Sequence, residues 1–372
     1  MTNLRARLSI GAQAFEGWKT VEVRRAFDAA SSGFMLEVVD TEAAPAALPT
    51  WPIKPFDACT VQLGGVKVIT GFVDRVEPSY DASRSAVRVA GRSKTADAVD
   101  CSAIVPGGNF KGYKLDAIAN NLAGTVGVRV TAKADVGEPF EDISIDPGAT
   151  VVRALTDLCD ARGVMLHDDE EGNLVIDEAE ETDPVAWLVE GENILAAQAS
   201  LGSEKRFSKY VGKSQRRGSD DAWGEVVSEI TETRTDSAVP RYRPLLLAPE
   251  EPLTTRELRD RLDWEAAVRE GAELTADVTV LGWFRAPGKL WTPGETIHLA
   301  SPKLYVDRPL ALREVTFRQG QNGGTVAVLR LVPHSALNKK SGGKGKGKKK
   351  RAKGAKGGGF SWDGVVRVGD DN

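Results

Sequence analysis

The sequence predicts an α+β fold that is mostly β, with two small β-barrel domains accompanied by small α/β domains. Short runs of alternating apolar and polar residues recur over residues 4–99 and again after residue 273, which is typical of half-buried strands. The 38 Gly and 18 Pro residues indicate many turns between these strands. Helical spacing of apolar residues replaces the alternation between residues 99 and 184 and again over residues 254–271.

Length and composition place the chain among soluble globular proteins of several domains. Its 372 residues are 41% hydrophobic and 27% charged, and a chain of this length usually forms two to four domains. The sequence has no apolar run long enough to span a bilayer, and residues 1–18 lack the apolar core of a signal peptide. The cysteines are few and far apart (Cys59, Cys101 and Cys159), so we predict buried, reduced thiols and assembly in a reducing cytoplasm.

Residues 1–98 are predicted to form the first barrel. The segments 18–25 and 34–38 alternate as short strands. Gly64–Gly65 separates two β-branched runs, and this pair suits a two-residue hairpin whose positions both need positive φ. A second reversal is predicted over residues 77–83, where Pro and Asp are favourable turn residues. The segment is therefore an antiparallel, rolled sheet.

Residues 99–184 are predicted to form a small α/β domain. A helix begins near Leu115 and ends at Gly124, and a second follows Thr150 and ends at Gly163. A hairpin over residues 164–177 completes the domain, with its turn at residues 171–173.

The second barrel is predicted from residues 185–215 together with 273–335, with residues 216–272 inserted as a strand and helix domain. The helix of this insertion has the strongest signal in the chain, because Thr254 and Glu257 have the spacing of a capping box and the periodic pattern ends at Gly271.

The C-terminal region is basic, whereas the rest of the chain is acidic. Residues 339–356 hold ten Lys and Arg and no acid, so the net charge of −4 leaves −4 − 10 = −14 for the other residues. Residues 338–359 are predicted to be a flexible Lys/Gly linker, and residues 360–372 a C-terminal anchor. The linker is either a spacer or a segment that touches an anionic surface. Its candidate partner contacts, with those of the anchor, are Lys344, Lys346, Lys348, Lys349, Lys350, Arg351, Lys353, Phe360 and Trp362.

Signals for catalysis, a cofactor or a metal are weak. The run His167–Glu171 has metal-ligating side chains, but at a predicted hairpin tip adjacent side chains point apart, so a solvated acidic turn is the simpler interpretation. The other histidines, His298 and His334, show no metal-site spacing, and the sequence has no nucleophile elbow, phosphate loop or dinucleotide fingerprint. We predict no catalytic residue, no cofactor and no metal. Arg241–Arg243 is a candidate intersubunit contact.

The order TGFVD, PSYDAS and VRVAGRSKTADAVDCSA, preceded by WPIKPFDACTVQLGGVKVITG, resembles the baseplate hub proteins of Mu-like contractile-tailed phages. The resemblance implies a structural virion protein of the tail baseplate, assembled in the host bacterial cytoplasm. It implies a homotrimer in which two tube-like barrels per subunit form a ring, adapting the sixfold tail tube to the threefold central spike. Such a ring leaves a channel for DNA ejection, without specific DNA binding.

The same resemblance implies the other partners: a tail-tube or tube-initiator protein, the spike protein, and by extension baseplate wedge and tape-measure proteins. No membrane insertion by this chain is expected. Two other functions remain open from the residues alone. One is a tail-associated enzyme that degrades peptidoglycan, and the other is a DNA-binding tail protein that acts through the basic C-terminal segment.

Overall fold

The computed structural model describes residues 4–40, 52–81, 85–105, 107–215, 229–249, 253–320 and 324–337. The predicted linker, the predicted anchor and all nine candidate contact residues lie outside these ranges. Within them the fold is mostly β, as predicted. No described helix is both long and apolar enough to cross a bilayer.

The first β-rich half contains seven strands: β1 (Ala6–Ile10), β2 (Gln13–Phe15), β3 (Thr20–Ala26), β4 (Gly33–Asp40), β5 (Ala58–Leu63), β6 (Val66–Tyr80) and β7 (Ser85–Ser93). Gly64 and Gly65 have φ of 57° and 86°, which confirms the predicted hairpin turn between β5 and β6. The second reversal comes later than predicted, because β6 runs on to Tyr80 and pairs with β7 as far as the Tyr80–Ser85 pair.

The α/β segment follows β7. Its elements are α1 (Ala96–Asp100), β8 (Asn109–Phe110), α2 (Leu115–Gly124), β9 (Val130–Ala132), β10 (Ile143–Ser144), α3 (Val151–Arg162), β11 (Met165–Asp168) and β12 (Leu174–Asp177). The Thr150 side chain accepts a hydrogen bond from the Arg153 amide, and Gly163 ends α3 with φ of 70°. These are the start and stop residues that the sequence predicted.

The rest of the described chain contains β13 (Ala186–Val189), β14 (Ile194–Leu201), β15 (Lys209–Gln215), β16 (Glu229–Thr235), β17 (Pro244–Leu247), α4 (Thr255–Gly271), β18 (Leu274–Leu281), β19 (Phe284–Ala286), β20 (Lys289–Leu290), β21 (Thr296–Ser301), β22 (Val306–Gly320) and β23 (Gly324–Val332). Two short 3-10 helices, Pro302–Leu304 and His334–Ala336, follow β21 and β23.

Strand β15 corrects one predicted boundary. The sequence predicts residues 209–215 as part of the second barrel, but β15 pairs with β16 and β17 in a separate three-stranded sheet. Tyr210 is fully buried there and packs with Leu262 and Ala266 of α4. Alternation in a strand shows that one face is buried, but it does not show which sheet the strand joins.

Thirteen of the described strands form one sheet, with the order β14-β18-β23-β22-β3-β4-β7-β6-β5-β1-β2 and with β13 and β21 branching from β22. Inward side chains from both halves, including Leu8, Val23, Val89, Val278 and Leu329, belong to one hydrophobic cluster. Because the strands of each half face this cluster from many positions along the sheet, the sheet has to wrap around its core.

The two halves repeat one strand order. The first half runs β3-β4-β7-β6-β5, and the second runs β14-β18-β23-β22-β21, in the same sequential order. In both halves the fourth strand has 15 residues and carries a bulge near its middle, between Val73 and Arg75 in β6 and between Leu312 and Glu314 in β22. The chain therefore contains a structural duplication without an evident sequence repeat.

Candidate interaction surfaces and family

The seam between the two halves is the pairing of β22 with β3. The first part of β22 pairs with β21, from Val306 to Ala311. After the bulge the same edge of β22 pairs with β3 instead, from Glu314 opposite Ala26 to Gln319 opposite Val21. The bulge bends β22, so a single long strand belongs to both halves.

Ion pairs cross the polar face of this seam. Arg24 of β3 lies 2.6 Å from Glu314 of β22, and Arg318 of β22 lies 3.2 Å from Glu22 of β3. The hydrogen bond that Arg24 donates to Glu314 raises the pKa of the Arg24 guanidinium. Arg318 lies directly opposite Glu22, and Arg24 reaches Glu314 diagonally. Opposite charges on neighbouring strands favour one register over the others, so these pairs help to fix the two halves against each other.

The two repeated halves each have one sheet edge without a partner strand among the described strands. One is the outer edge of β14, the strand at one end of the main sheet. Its sequence ILAAQASL carries no charge, and Leu195 and Leu201 are 57% and 54% exposed. The other is the end of β6 after the bulge, which pairs with β7 alone and leaves Tyr80 85% exposed. The β14 edge is uncharged over its whole length, and such an edge favours pairing with another chain.

The acidic turn His167–Glu171 is docked on the first half, which corrects the expectation of a solvated turn. Asp168 is only 3% exposed, and its carboxylate accepts hydrogen bonds from the Ser32 amide (2.8 Å) and hydroxyl (2.7 Å). Lys67 Nζ donates to Glu171 at 2.8 Å, and the Thr70 hydroxyl donates to the Glu170 carbonyl. The prediction failed because these partners are distant in sequence.

The remaining members of the turn are also used structurally. Asp169 accepts hydrogen bonds from the amides of Glu171 and Asn173, and the His167 ring stacks on Phe27 with centroids 4.9 Å apart. No three His, Cys, Asp or Glu residues are grouped as metal ligands within the described ranges.

Other clear pKa shifts follow from ion pairing and burial. Hydrogen bonds from Arg92 and Arg206 lower the pKa of Asp100 and Asp236 respectively. Burial lowers the pKa of His334 and raises that of the Cys59 thiol to about 12. Cys59 and Cys159 are buried thiols as predicted, whereas Cys101 is exposed.

The edges of β14 and β6 were not singled out from the sequence. A usable signal was present, because ILAAQASL combines strand alternation with a complete lack of charge, which is unusual for an exposed edge strand. The candidate intersubunit contact Arg241–Arg243 lies within the described residues, and its Tyr242 is 79% exposed.

Comparison with known proteins finds three family models that match separate stretches of the chain. Residues 5–93 match the family model "Mu phage baseplate assembly protein GpP-like, N-terminal". Residues 95–178 match "Baseplate hub protein gp44-like, second domain", and residues 254–339 match "Mu phage baseplate assembly protein GpP, fourth domain".

Whole-chain relatives agree with these models. The baseplate hub protein gp44 of Escherichia phage Mu is 29% identical over 331 residues, which cover 87% of this chain and 86% of the relative. The crystal structure of the 43 kDa tail protein of prophage MuSo2 from Shewanella oneidensis has a TM-score of 0.81 and 34% identity, covering 90% of this chain and 99% of that one. A tail protein from Neisseria meningitidis MC58 shares the fold, with a TM-score of 0.73, 22% identity, and coverage of 90% of this chain and 98% of that one. The chain belongs to the family of baseplate hub proteins of Mu-like phages.

Proposed function

We propose that this protein is the structural hub of a contractile-tail baseplate in the virion. Three copies form a ring that contacts the sixfold tail tube on one side and the threefold central spike on the other. The ring encloses a channel through which DNA passes on ejection. The protein works by holding its neighbours in place, and no residue of it is assigned to a chemical reaction.

The observation that carries this proposal is the repeated strand order of the two halves, β3-β4-β7-β6-β5 and β14-β18-β23-β22-β21. Two similar units in each of three chains give six similar units in a ring. A threefold assembly of this kind offers a sixfold partner six comparable docking positions, while it keeps true threefold symmetry for the spike.

The α/β segment is attached in a way that suits the transmission of force. Asp168 holds Ser32 of the first half through two hydrogen bonds, and Lys67 pairs with Glu171 beside them. Gly172 packs so closely that an added Cβ would lie 2.7 Å from the Thr70 carbonyl oxygen. This close packing leaves little room for the turn to shift against the sheet.

Charge supports a channel that does not retain DNA. Outside residues 339–356 the chain carries a net charge of −4 − 10 = −14, and a net negative charge disfavours binding of a polyanion such as DNA. The expected partners are a second and third copy of this chain, the spike protein, and a tail-tube or tube-initiator protein. Wedge and tape-measure proteins are further expected neighbours.

Light scattering on the full chain, alone and mixed with the cognate spike protein, tests the proposal. We expect a species of three times the 39.9 kDa chain mass. A chain that stays monomeric at high concentration and also after mixing with the spike would contradict the proposal. Dissociation on dilution alone would only measure the affinity between subunits.

Two further measurements separate the other functions. A peptidoglycan zymogram with the purified protein should leave no cleared band, whereas a wall-degrading enzyme would clear one. Duplex DNA binding should be weak and unchanged when residues 338–372 are removed. Affinity that falls steeply with salt and disappears with the tail would instead indicate a DNA-binding protein.

A further inference from the structure

The two free edges described above correspond to the two strands that meet at the seam inside the chain. In the second half, β22 uses the edge after its bulge to bind β3 of the first half. Its counterpart β6 has the same edge after its bulge, and that edge has no partner among the described strands. The counterpart of β3 is β14, whose outer edge is likewise unpaired there.

The strand registers show which residues of the two halves correspond on the polar face of the sheet. One row of directly paired residues crosses the second half: Glu314, Arg330, Asp277 and Gln198. The matching row crosses the first half: Arg75, Ala90, Met35 and Glu22. Gln198 therefore occupies the position of Glu22. Counting from the bulges, Ser79 occupies the position of Arg318, which is the residue that faces Glu22 across the seam.

We infer that β6 of one subunit pairs antiparallel with β14 of the next, in the register of the internal seam. This inference rests on the proposed ring and names the surface that builds it. In this register the directly opposed pairs are Val76 with Leu201, Glu77 with Ser200, Pro78 with Ala199, Ser79 with Gln198, and Tyr80 with Ala197.

The register matches side chains on both faces of the sheet. Val76, Pro78 and Tyr80 meet Leu201, Ala199 and Ala197, so apolar residues meet apolar residues. Val76 and Ala199 already pack against the core at the rim of their own halves. Glu77 and Ser79 meet Ser200 and Gln198 on the polar face. A slip of one residue would place every apolar side chain against the polar face of its neighbour.

The exposure of apolar side chains at both edges supports the same pairing of β6 with β14. Tyr80 and Leu201 are 85% and 54% exposed in the single chain, although both lie on the face that is buried in the strands beside them. Each edge lacks a neighbouring strand, and in the inferred pairing the next subunit supplies it. Pro78 has no N–H and contributes only its carbonyl to this pairing, which is tolerated at an edge. Because the two edges differ, the contact is head-to-tail, and such a contact builds a ring when the rotation between subunits closes, as the proposed trimer requires.

Disulfide trapping in the full chain tests the register. The exposed Cys101 is first replaced by Ser so that it does not cross-link. Into this background we introduce Ser79→Cys with Gln198→Cys, the matched pair. Directly opposed antiparallel residues lie about 4.5–5.5 Å apart between Cα atoms, within the range of a disulfide. The control is Ser79→Cys with Ala197→Cys, which is shifted by one residue and places the thiols on opposite faces.

We expect mild oxidation to convert the matched pair into a covalent trimer on a non-reducing gel, while the shifted control stays unlinked. If the C101S parent is a trimer by light scattering but the shifted pair cross-links, or neither pair does, the inferred pairing is wrong and the trimeric hub stands. If the parent is a monomer with and without the spike, both the pairing and the proposed function fail.

Discussion

Replacement of Asp168 by Ala should uncouple the α/β segment from the first half of the sheet. Asp168 is 3% exposed and accepts two hydrogen bonds from Ser32, a residue 136 positions away in sequence. The substitution removes the only carboxylate that faces the Ser32 hydroxyl among the described contacts. The Ser32 amide keeps a second acceptor, because the Ser93 hydroxyl oxygen lies 3.2 Å from it.

The size of the effect follows from these contacts. A hydrogen bond to a charged group contributes about 1.5–3 kcal/mol, and a buried donor left unpaired costs about 1–3 kcal/mol. Since one of the two donors keeps a partner, we expect D168A to lower the free energy of unfolding by about 2–4 kcal/mol. Asp142→Ala is a suitable control, because Asp142 is exposed and replacement removes the same charge from the same segment.

Guanidinium denaturation and hydrogen exchange measure this loss in the full chain. The denaturation midpoint of D168A should fall relative to D142A, and the amides of β11 and β12 should exchange faster. If exchange in β11 and β12 and the midpoint both match those of D142A, then the turn is not a joint between the domains, and the argument from its burial is refuted.

Three further predictions concern separate sites. Gly172→Ala should destabilise the fold by about 2 kcal/mol more than Gly127→Ala, because both glycines have positive φ (75° and 71°) but only Gly172 faces a close neighbour; equal losses would show that the steric contact is harmless. Burial lowers the pKa of His334, so the unfolded chain takes up a proton at a higher pH than the folded chain does. Stability should therefore fall as the pH is lowered from about 7.5 to about 5.5. H334Q should flatten this slope, and an unchanged slope would contradict the assignment of the effect to His334. In the native protein Cys101 should react rapidly with a thiol reagent, while Cys59, with its pKa raised to about 12, should react only on unfolding; rapid labelling that survives C101S would be the opposite result.

Local signals in the sequence predicted the elements of this fold because each signal acts within a few residues. Gly64 and Gly65 provide the positive φ of a hairpin turn, and Thr150 and Gly163 start and end one helix. These requirements are satisfied by neighbouring backbone groups, so they do not depend on tertiary contacts.

The contacts that organise the molecule could not be predicted in this way. Asp168 looked like a solvated turn residue because its partner, Ser32, lies in another domain. Residues 209–215 alternate as well as any strand of the second barrel, yet they belong to the inserted sheet. The change of partner along β22 depends on which strands lie beside its bulge. Each of these is set by tertiary pairing, which a local pattern does not encode.

The two seams of the proposed ring need the same backbone geometry but different side chains. Inside the chain, Arg24 with Glu314 and Arg318 with Glu22 fix the register by charge. At the inferred seam between subunits the corresponding pairs are Arg75 with Ser200 and Ser79 with Gln198, and β14 carries no charge at all. Glu77 is already paired with Arg75 within its own chain. The polar faces favour β22 over β6 as the partner of β3, because β6 would place Ser79 opposite Glu22 where β22 places Arg318. The two halves share one backbone arrangement but differ in sequence. Around the proposed ring, β22–β3 pairing within a subunit can therefore alternate with β6–β14 pairing between subunits.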